Sequence, residues 1–174
     1  YLDDGSDQGT NWRAYAFDDS SWAEGPAKLG YGEGDEATTN GFGGVSTNKY
    51  ITTYYRKSFV ATGAIRLNNG LVNLKRDYGA IVYLNGFELF RTNLTSGMVS
   101  YLTQANGTVS GTNEDLFYQS EISNWRFLDG TNVIAVEIHQ TSPDSSDISF
   151  DLELVSYPIS YEAPVPRVGF AATT

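Results

Sequence analysis

The sequence has no cysteine, one histidine (His139), one methionine and few positive charges, and each shortage closes off a chemistry. Without thiols there is no disulfide and no thiolate metal site, and a lone histidine cannot build the usual zinc centres. Lys plus Arg number 11 against 21 Asp plus Glu, giving a formal charge of −10. Such a chain repels phosphate backbones and anionic headgroups, so nucleic acid and membrane surfaces are not expected partners. No apolar run approaches the roughly 20 residues that span a bilayer. Helical periodicity is almost missing, no internal repeat is visible, and no Gly-x-Ser-x-Gly precedes a helix. The glycine-heavy stretches Leu29–Glu36 and Asn40–Gly44 lack the Lys-Ser/Thr of a phosphate cradle, and read as surface loops that could line a site. Opening on Tyr1 without a signal peptide, the chain reads as a mature or excised piece, which fits a secreted bacterial module held by its core.

What is present is β-sheet signal. At 174 residues the chain is long enough for one domain with a sizeable core. Ala80–Leu84 and Phe87–Arg91 are apolar runs separated only by Asn85-Gly86, the dipeptide that suits a type I′ turn with two positive φ angles. Ala80–Leu84 is apolar on both faces, which predicts a mid-sheet strand covered above and below. In Phe87–Arg91, Phe87, Leu89 and Arg91 alternate with Glu88 and Phe90, completing a buried central hairpin. Asn132–Gln140 and Ile148–Tyr157 alternate cleanly, and Ile51–Val60 and Ala64–Leu74 are further strands, the last broken at Asn69-Gly70. A helical turn is expected at Phe17–Trp22, with both aromatics inward, and a short strand at Met98–Leu102. Glu114–Phe127 fits neither period and reads as a short helix or irregular packing. The pattern argues an all-β antiparallel sandwich over 1–157, with a proline-marked strap or linker over 158–174.

Little catalytic equipment is visible. His139 on a strand reads as a structural side chain bonded to the Ser142–Asp147 loop that follows. Asp151 and Glu153 share a strand face about 7 Å apart, within the roughly 5–9 Å that paired carboxylates need for glycoside hydrolysis. Solvent-facing strands carry such acids without any catalysis, so the pair is set aside. Asp3 and Asp7, in the polar loop Asp3–Gly9, could hold Ca²⁺ through oxygen ligands; Asx-type turns account for the same acids. Aromatics make up 14% of residues, with 12 Tyr and 3 Trp, enough rings to serve both a core and a sugar-stacking surface.

Several motifs in order carry a resemblance: Gly5–Gly9 with Trp12, Phe17–Trp22, Leu29–Gly32, Tyr54–Phe59, Val82–Gly86, Gly130–Gln140 and Ser145–Asp151. Together they resemble the galactose-binding-domain-like jelly rolls appended to large secreted bacterial proteins. The Asn-Gly hairpin and Gly-x-Asn-x-Ile-Ala-Val are also similar to the non-catalytic sugar-binding sandwich of family-two β-galactosidases. The resemblance spans about Leu2 to Tyr157 and implies an eight-or-so-stranded jelly roll, often with one structural Ca²⁺ in a loop. Where many relatives carry Asp-Asp-Gly, this chain has Asp77-Tyr78-Gly79, exchanging an acid for a ring. Asn85, Asp147 and Asp151 are expected to be structural, as turn, loop brace and buried acceptor. The implied function is a non-catalytic carbohydrate-binding module of a secreted multimodular enzyme, monomeric, with a polysaccharide or oligosaccharide and neighbouring modules of the same polypeptide as partners. Its expected ligand-binding residues are Tyr78, Trp125, Arg76, Asp77, Tyr31 and Arg91. The alternative is a spacer that braces a catalytic domain and has no sugar site.

Overall fold

The computed structural model describes residues 1–63, 67–123 and 127–158. The strands among them are β1 (Leu29–Tyr31), β2 (Thr38–Thr39), β3 (Thr52–Ala61), β4 (Leu67–Asp77), β5 (Gly79–Leu84), β6 (Phe87–Thr92), β7 (Tyr118–Ser123), β8 (Gly130–His139) and β9 (Ile148–Pro158). They form a five-stranded sheet, β2-β1-β9-β4-β7, facing a four-stranded sheet, β3-β8-β5-β6. Every pairing is antiparallel except that of the short β1 and β2. The expected antiparallel sandwich is therefore the fold. No helix among the described residues is long and apolar enough to cross a membrane, and the expected strap lies, beyond Pro158, outside the described residues.

The Asn-Gly hairpin sets the register of the four-stranded sheet. Asn85 and Gly86 take φ of 50° and 87°, the doubly positive turn that joins twisted strands without splaying them. Asn85 also locks its neighbour: its amide nitrogen donates to Asn132 Oδ1 at 2.8 Å and its oxygen accepts the Val133 N–H at 2.9 Å. β5 lies between β6 and β8, and all its residues are buried. β6, in contrast, is an edge strand; Phe87 is exposed, and a register shift between Val82 and Tyr83 breaks the alternation expected of Phe87–Arg91. The hairpin is central on one arm only.

Strand alternation sorts the apolar residues into two cores. Inward-facing Ala80, Val82 and Leu84 meet Val72, Leu74, Ile134, Val136, Ile138, Ile148 and Phe150 between the sheets. The outward residues Ile81, Tyr83, Tyr54 and Ala135 make a second core under the N-terminal segment, which folds Trp12 onto them. Trp12 sits in a single 3-10 turn, Asn11–Arg13, with its ring centroid 4.8 Å from that of Tyr54 and 5.8 Å from that of Tyr83. Burying a side chain of this size stabilises by about 1.5–3 kcal/mol, which is what anchors a segment with so little regular structure of its own.

Some local expectations are corrected. Phe17–Trp22 is a reverse turn, closed by the Trp22 N–H to Asp19 O bond at 2.9 Å, though both aromatics do pack against the second core. Met98–Leu102 forms no strand: Met98 is fully exposed. β4 runs through Asn69-Gly70 with a register shift between Leu67 and Asn69, and Tyr118–Ser123 is a strand on its edge. A polar ladder explains why β7 showed no clean period. On the outer face Gln119 donates to Asn73 at 3.0 Å, and Asn73 donates to Glu153 at 2.6 Å, so polar residues bind the sheet there.

Candidate functional site

The tightest gathering of ionisable side chains lies where β4 ends. Asn73, Lys75 and Asp77 share the outer face of the five-stranded sheet by alternation, and Ser149 of β9 lies opposite Asp77. Three loops close over this corner. The β1–β2 turn brings Glu33, the segment before β7 brings Glu114 just after a 3-10 turn at Gly111–Asn113, and the β8–β9 loop brings Asp147. One carboxylate oxygen from each of Glu33, Glu114 and Asp147 lies within 4.8 Å of the other two.

Local sequence makes this approach possible. Gly32 takes φ of +104°, and a Cβ there would come within 2.6 Å of the Asp147 Cβ, so only glycine lets the two loops meet. Glu36 holds the turn by accepting the N–H groups of Glu33 and Gly34 at 2.8 and 2.9 Å. Asp147 is oriented by Ser146 Oγ at 2.6 Å and Tyr78 OH at 3.1 Å, both donating to its Oδ1. Gln140 ties the floor together, donating to Tyr31 OH at 2.6 Å and to the Asp147 carbonyl at 2.8 Å.

Asp77 is the odd member. It is 1% exposed, and its side-chain hydrogen bond is with another acid, Asp147, to which its own proton is donated. The neighbouring Ser149 hydroxyl and the Gln140 side-chain oxygen are buried without a partner among the described residues. Arg76 does not neutralise Asp77. Its guanidinium donates to the Tyr78 carbonyl and to Thr92 Oγ1 of β6 (3.0 Å), and lies 4.7 Å from the Tyr118 ring centroid. Desolvation, then the charge of Asp147, pushes the Asp77 carboxyl up to about 8. Glu33 is pushed up to about 7, first by a hydrogen bond with Asp147 and then by desolvation. Burial alone would raise Asp147, but the protons offered by Glu33, Ser146, Tyr78 and Asp77 hold it below the usual carboxylate range. Glu33 thus carries the proton the pair shares.

Three of the six expected ligand residues, Tyr31, Asp77 and Tyr78, come together here, while Arg76 alternates to the other face of β4 and reaches Thr92 and the Tyr118 ring. Their setting differs from that expectation: Tyr31 and Tyr78 are only 6% exposed, so neither ring has a free face for a sugar. Burial pushes both phenols up to about 12, and they serve as neutral hydrogen-bonding groups. Arg91 is elsewhere. Its fork is committed to Glu88 (two bonds of 2.7 Å) and to the carbonyls of Thr95 and Gly97, bracing the loop after β6. Trp125 lies outside the described residues. Asp7 accepts the Gly9 N–H at 2.8 Å in an Asx turn, and Asp3 accepts the Gly41 N–H; neither belongs to the acid cluster.

His139 is fully buried, as a structural side chain should be, but its partners are Thr52 Oγ1 (3.0 Å) and the Thr103 carbonyl (2.7 Å), not the Ser142–Asp147 loop. Asp151 accepts its neighbour's Leu152 N–H while half-buried, and Glu153 belongs to the surface ladder. A groove of 1210 Å³ opens beside β9 where the short β1 stops at Phe150, and a smaller one of 240 Å³ lies by Tyr50 and Tyr101; none of the four clustered acids lines either.

Sequence reading missed Glu33, Glu114 and the loop aromatic beside them. Phe117 is 48% exposed, with Lys75 Nζ 5.5 Å from its ring centroid and 3.7 Å from Asp115. The signals available were Gly32-Glu33 inside a glycine-heavy loop and an acid pair, Glu114-Asp115, ahead of two aromatics.

No protein-family model and no curated protein sequence matches the chain. Among solved structures it is similar to a β-glucuronidase from glycoside hydrolase family 2, at 15% identity and a TM-score of 0.45. The likeness covers 75% of this chain but 12% of that one, so the domain spans a small part of the enzyme's length. A likeness so loose carries no argument about function.

Proposed function

We propose that this domain is a non-catalytic carbohydrate-binding module that tethers a secreted multimodular enzyme to polysaccharide. Its contact surface is the rim formed by the loop before β7. The observation that carries the reading is an exposed ring beside charged hydrogen-bonding groups: Phe117, with Lys75 and Asp115 next to it. A pyranose packs its C–H face on an aromatic ring while its hydroxyls need donors and acceptors alongside, and this rim offers both. Tethering raises the local concentration of a linked enzyme on its polymer and breaks no bond.

Burial removes Asp77 as a general acid, since neither of its oxygens is open to solvent and such an acid must reach the oxygen it protonates. Glu33, raised to about 7, is exposed, so product release from a glycan panel is the measurement that checks the non-catalytic reading. The one histidine is enclosed by Thr52 and Thr103. The bracing role stands as a second reading, favoured by the burial of Tyr31 and Tyr78, the rings expected to form the platform.

Affinity electrophoresis against a panel of polysaccharides separates the two. Retardation on at least one polymer, lost in Phe117→Ala with an unchanged melting temperature, is the expected result. No retardation on any polymer would overturn tethering in favour of bracing, and binding unaffected by Phe117→Ala would remove the proposed surface.

A further inference from the structure

We propose that the chain's own C-terminal segment, 159–174, seats in the groove beside β9 and closes the open side of the sandwich. The claim is independent of the carbohydrate reading, which concerns the β7 edge of the same sheet.

The groove exists because two neighbouring strands differ in length. β1 pairs with β9 only at Ile148, Ser149 and Phe150, whereas β9 runs on to Pro158. From Asp151 onward β9 has β4 on one side, and no strand among the described residues on the other. Across the gap lies β3, an edge strand of the facing sheet. Between the two edges the inter-sheet core is left open over 1210 Å³, with Phe59, Phe127, Ile134, Leu152 and Leu154 along the wall. Val60, which also lines it, is 71% exposed. Apolar strand edges left bare in this way invite pairing with other chains, and native proteins cover them.

Position, reach and pattern select the occupant. β9 ends four residues past Leu154, about 13 Å at the rise of a strand, so whatever follows it starts at the end of the groove. Sixteen residues follow, 159–174. Extended, they reach roughly 50 Å, enough to turn and run back along β9. Among them Pro164, Pro166, Val168 and Phe170 alternate, so an extended chain turns four apolar side chains to one face and Val165 and Arg167 to the other. The two prolines exclude a continuous ladder with β9. They also restrict the backbone, which lowers the entropy lost on docking. Charge argues in the same direction. Glu162 and Arg167 cancel, so a domain of formal charge −10 does not repel this segment, and Glu24 and Asp151 on the rim offer Arg167 acids to meet. A second copy, itself at −10, would be repelled.

The test is paramagnetic broadening of amide signals in the full chain. The sequence has no cysteine, so Ala172→Cys carries a single nitroxide. The signals of Leu152 and Leu154 should be lost, and that of Gln119 on β7 kept. Adding Val168→Ser and Phe170→Ser to the labelled chain should restore the groove signals. Those two substitutions without the label should lower the melting temperature by roughly 2–4 °C. Groove signals intact in the labelled parent would overturn the proposal, and an unchanged melting temperature would show that the two side chains are not buried there. Loss that persists with both serines would overturn seating through Val168 and Phe170. Loss that appears when isotope-enriched unlabelled chain is mixed with nitroxide-labelled chain would put a second copy in the groove instead.

Discussion

Two buried arginines mark two corners of this sandwich, and their surroundings could hardly differ more. Arg56 on β3 meets a closed network: it bonds Asp19 at 2.7 Å and donates to the carbonyls of Trp12, Ala14 and Phe17. Its plane also lies 5.2 Å from the Phe17 ring centroid, so the N-terminal segment is pinned by one side chain whose donors are spent on it. Arg76 on β4 leaves its Nε unpartnered among the described residues, and the acid beside it, Asp77, is bonded to another acid, Asp147. Networks that only hold a fold together tend to be fully satisfied, because each buried orphan costs about 1–3 kcal/mol. The corner at β4 is satisfied differently: its acids share protons with one another. The contrast separates a network closed by a permanent cation from one closed by protonation.

The largest effect should come from the corner closed by Arg56. Trp12→Ala empties the centre of the second core and should lower unfolding free energy by about 3–5 kcal/mol in urea, equally above and below the pH at which Asp77 titrates. Dependence of that loss on the protonation of Asp77 would mean the two corners are one unit. Arg56→Met should follow, at about 3 kcal/mol, because it strands Asp19 and three carbonyls while keeping an apolar stem. A loss below about 1 kcal/mol would mean that water replaces the network.

At the corner closed by protonation, Gly32→Ala should cost about 2 kcal/mol in the same urea assay, since a methyl at positive φ would meet Asp147. Asp77→Asn should act with the opposite sign, stabilising by about 1 kcal/mol at neutral pH, because the amide donates to Asp147 without the proton uptake that the buried carboxyl needs on folding. The pH dependence has a definite direction. The Asp77 carboxyl is raised from 3.8 to about 8 in the fold, so parent stability from this group is full below about 4 and lost as pH rises toward 8. The advantage of Asn should grow across that window. Asp19→Asn should destabilise instead, and matching signs at the two positions would erase the distinction drawn between them.

How much of this was legible in the sequence follows from the range of each interaction. The Asn85-Gly86 turn, β5 with two apolar faces and the alternation of β8 and β9 are local patterns, and they are enough for the sandwich; the register shift between Val82 and Tyr83 is not among them. β7 was not legible, because its pairing rests on a side-chain ladder through Asn73 that has no periodic signature. Tyr31, Asp77 and Tyr78, expected as ligand residues, lie around one corner, and Arg76 turns to the opposite face. Their burial was hidden, since it is set by loops folding over the sheet end. Glu33 and Glu114 stand 81 positions apart in the chain, and only the sheet order β1-β9-β4-β7 brings their loops to one corner. Arg91 was misjudged for the reason that a fork three residues from Glu88 forms its pair locally.

The smallest expected effect is the sharpest control on the comparison. Asp7 is exposed, and its carboxylate makes one bond, to the N–H of Gly9 two residues on. Surface substitutions away from caps, cores and buried networks usually change stability by less than about 0.5 kcal/mol, and an Asx turn of this kind is replaced by water at little cost. Asp7→Ala should therefore leave urea unfolding nearly unchanged. The polar N-terminal loop carries three acids against the four of the corner at β4, and its carboxylates accept backbone N–H groups: Asp4 from Ser6, Asp7 from Gly9, Asp3 from Gly41. What distinguishes the two clusters is where the carboxylates find their donors, in backbone N–H groups or in one another. A pH dependence of stability that vanished in Asp7→Ala and survived in Asp77→Asn would show that rule to be wrong for this protein.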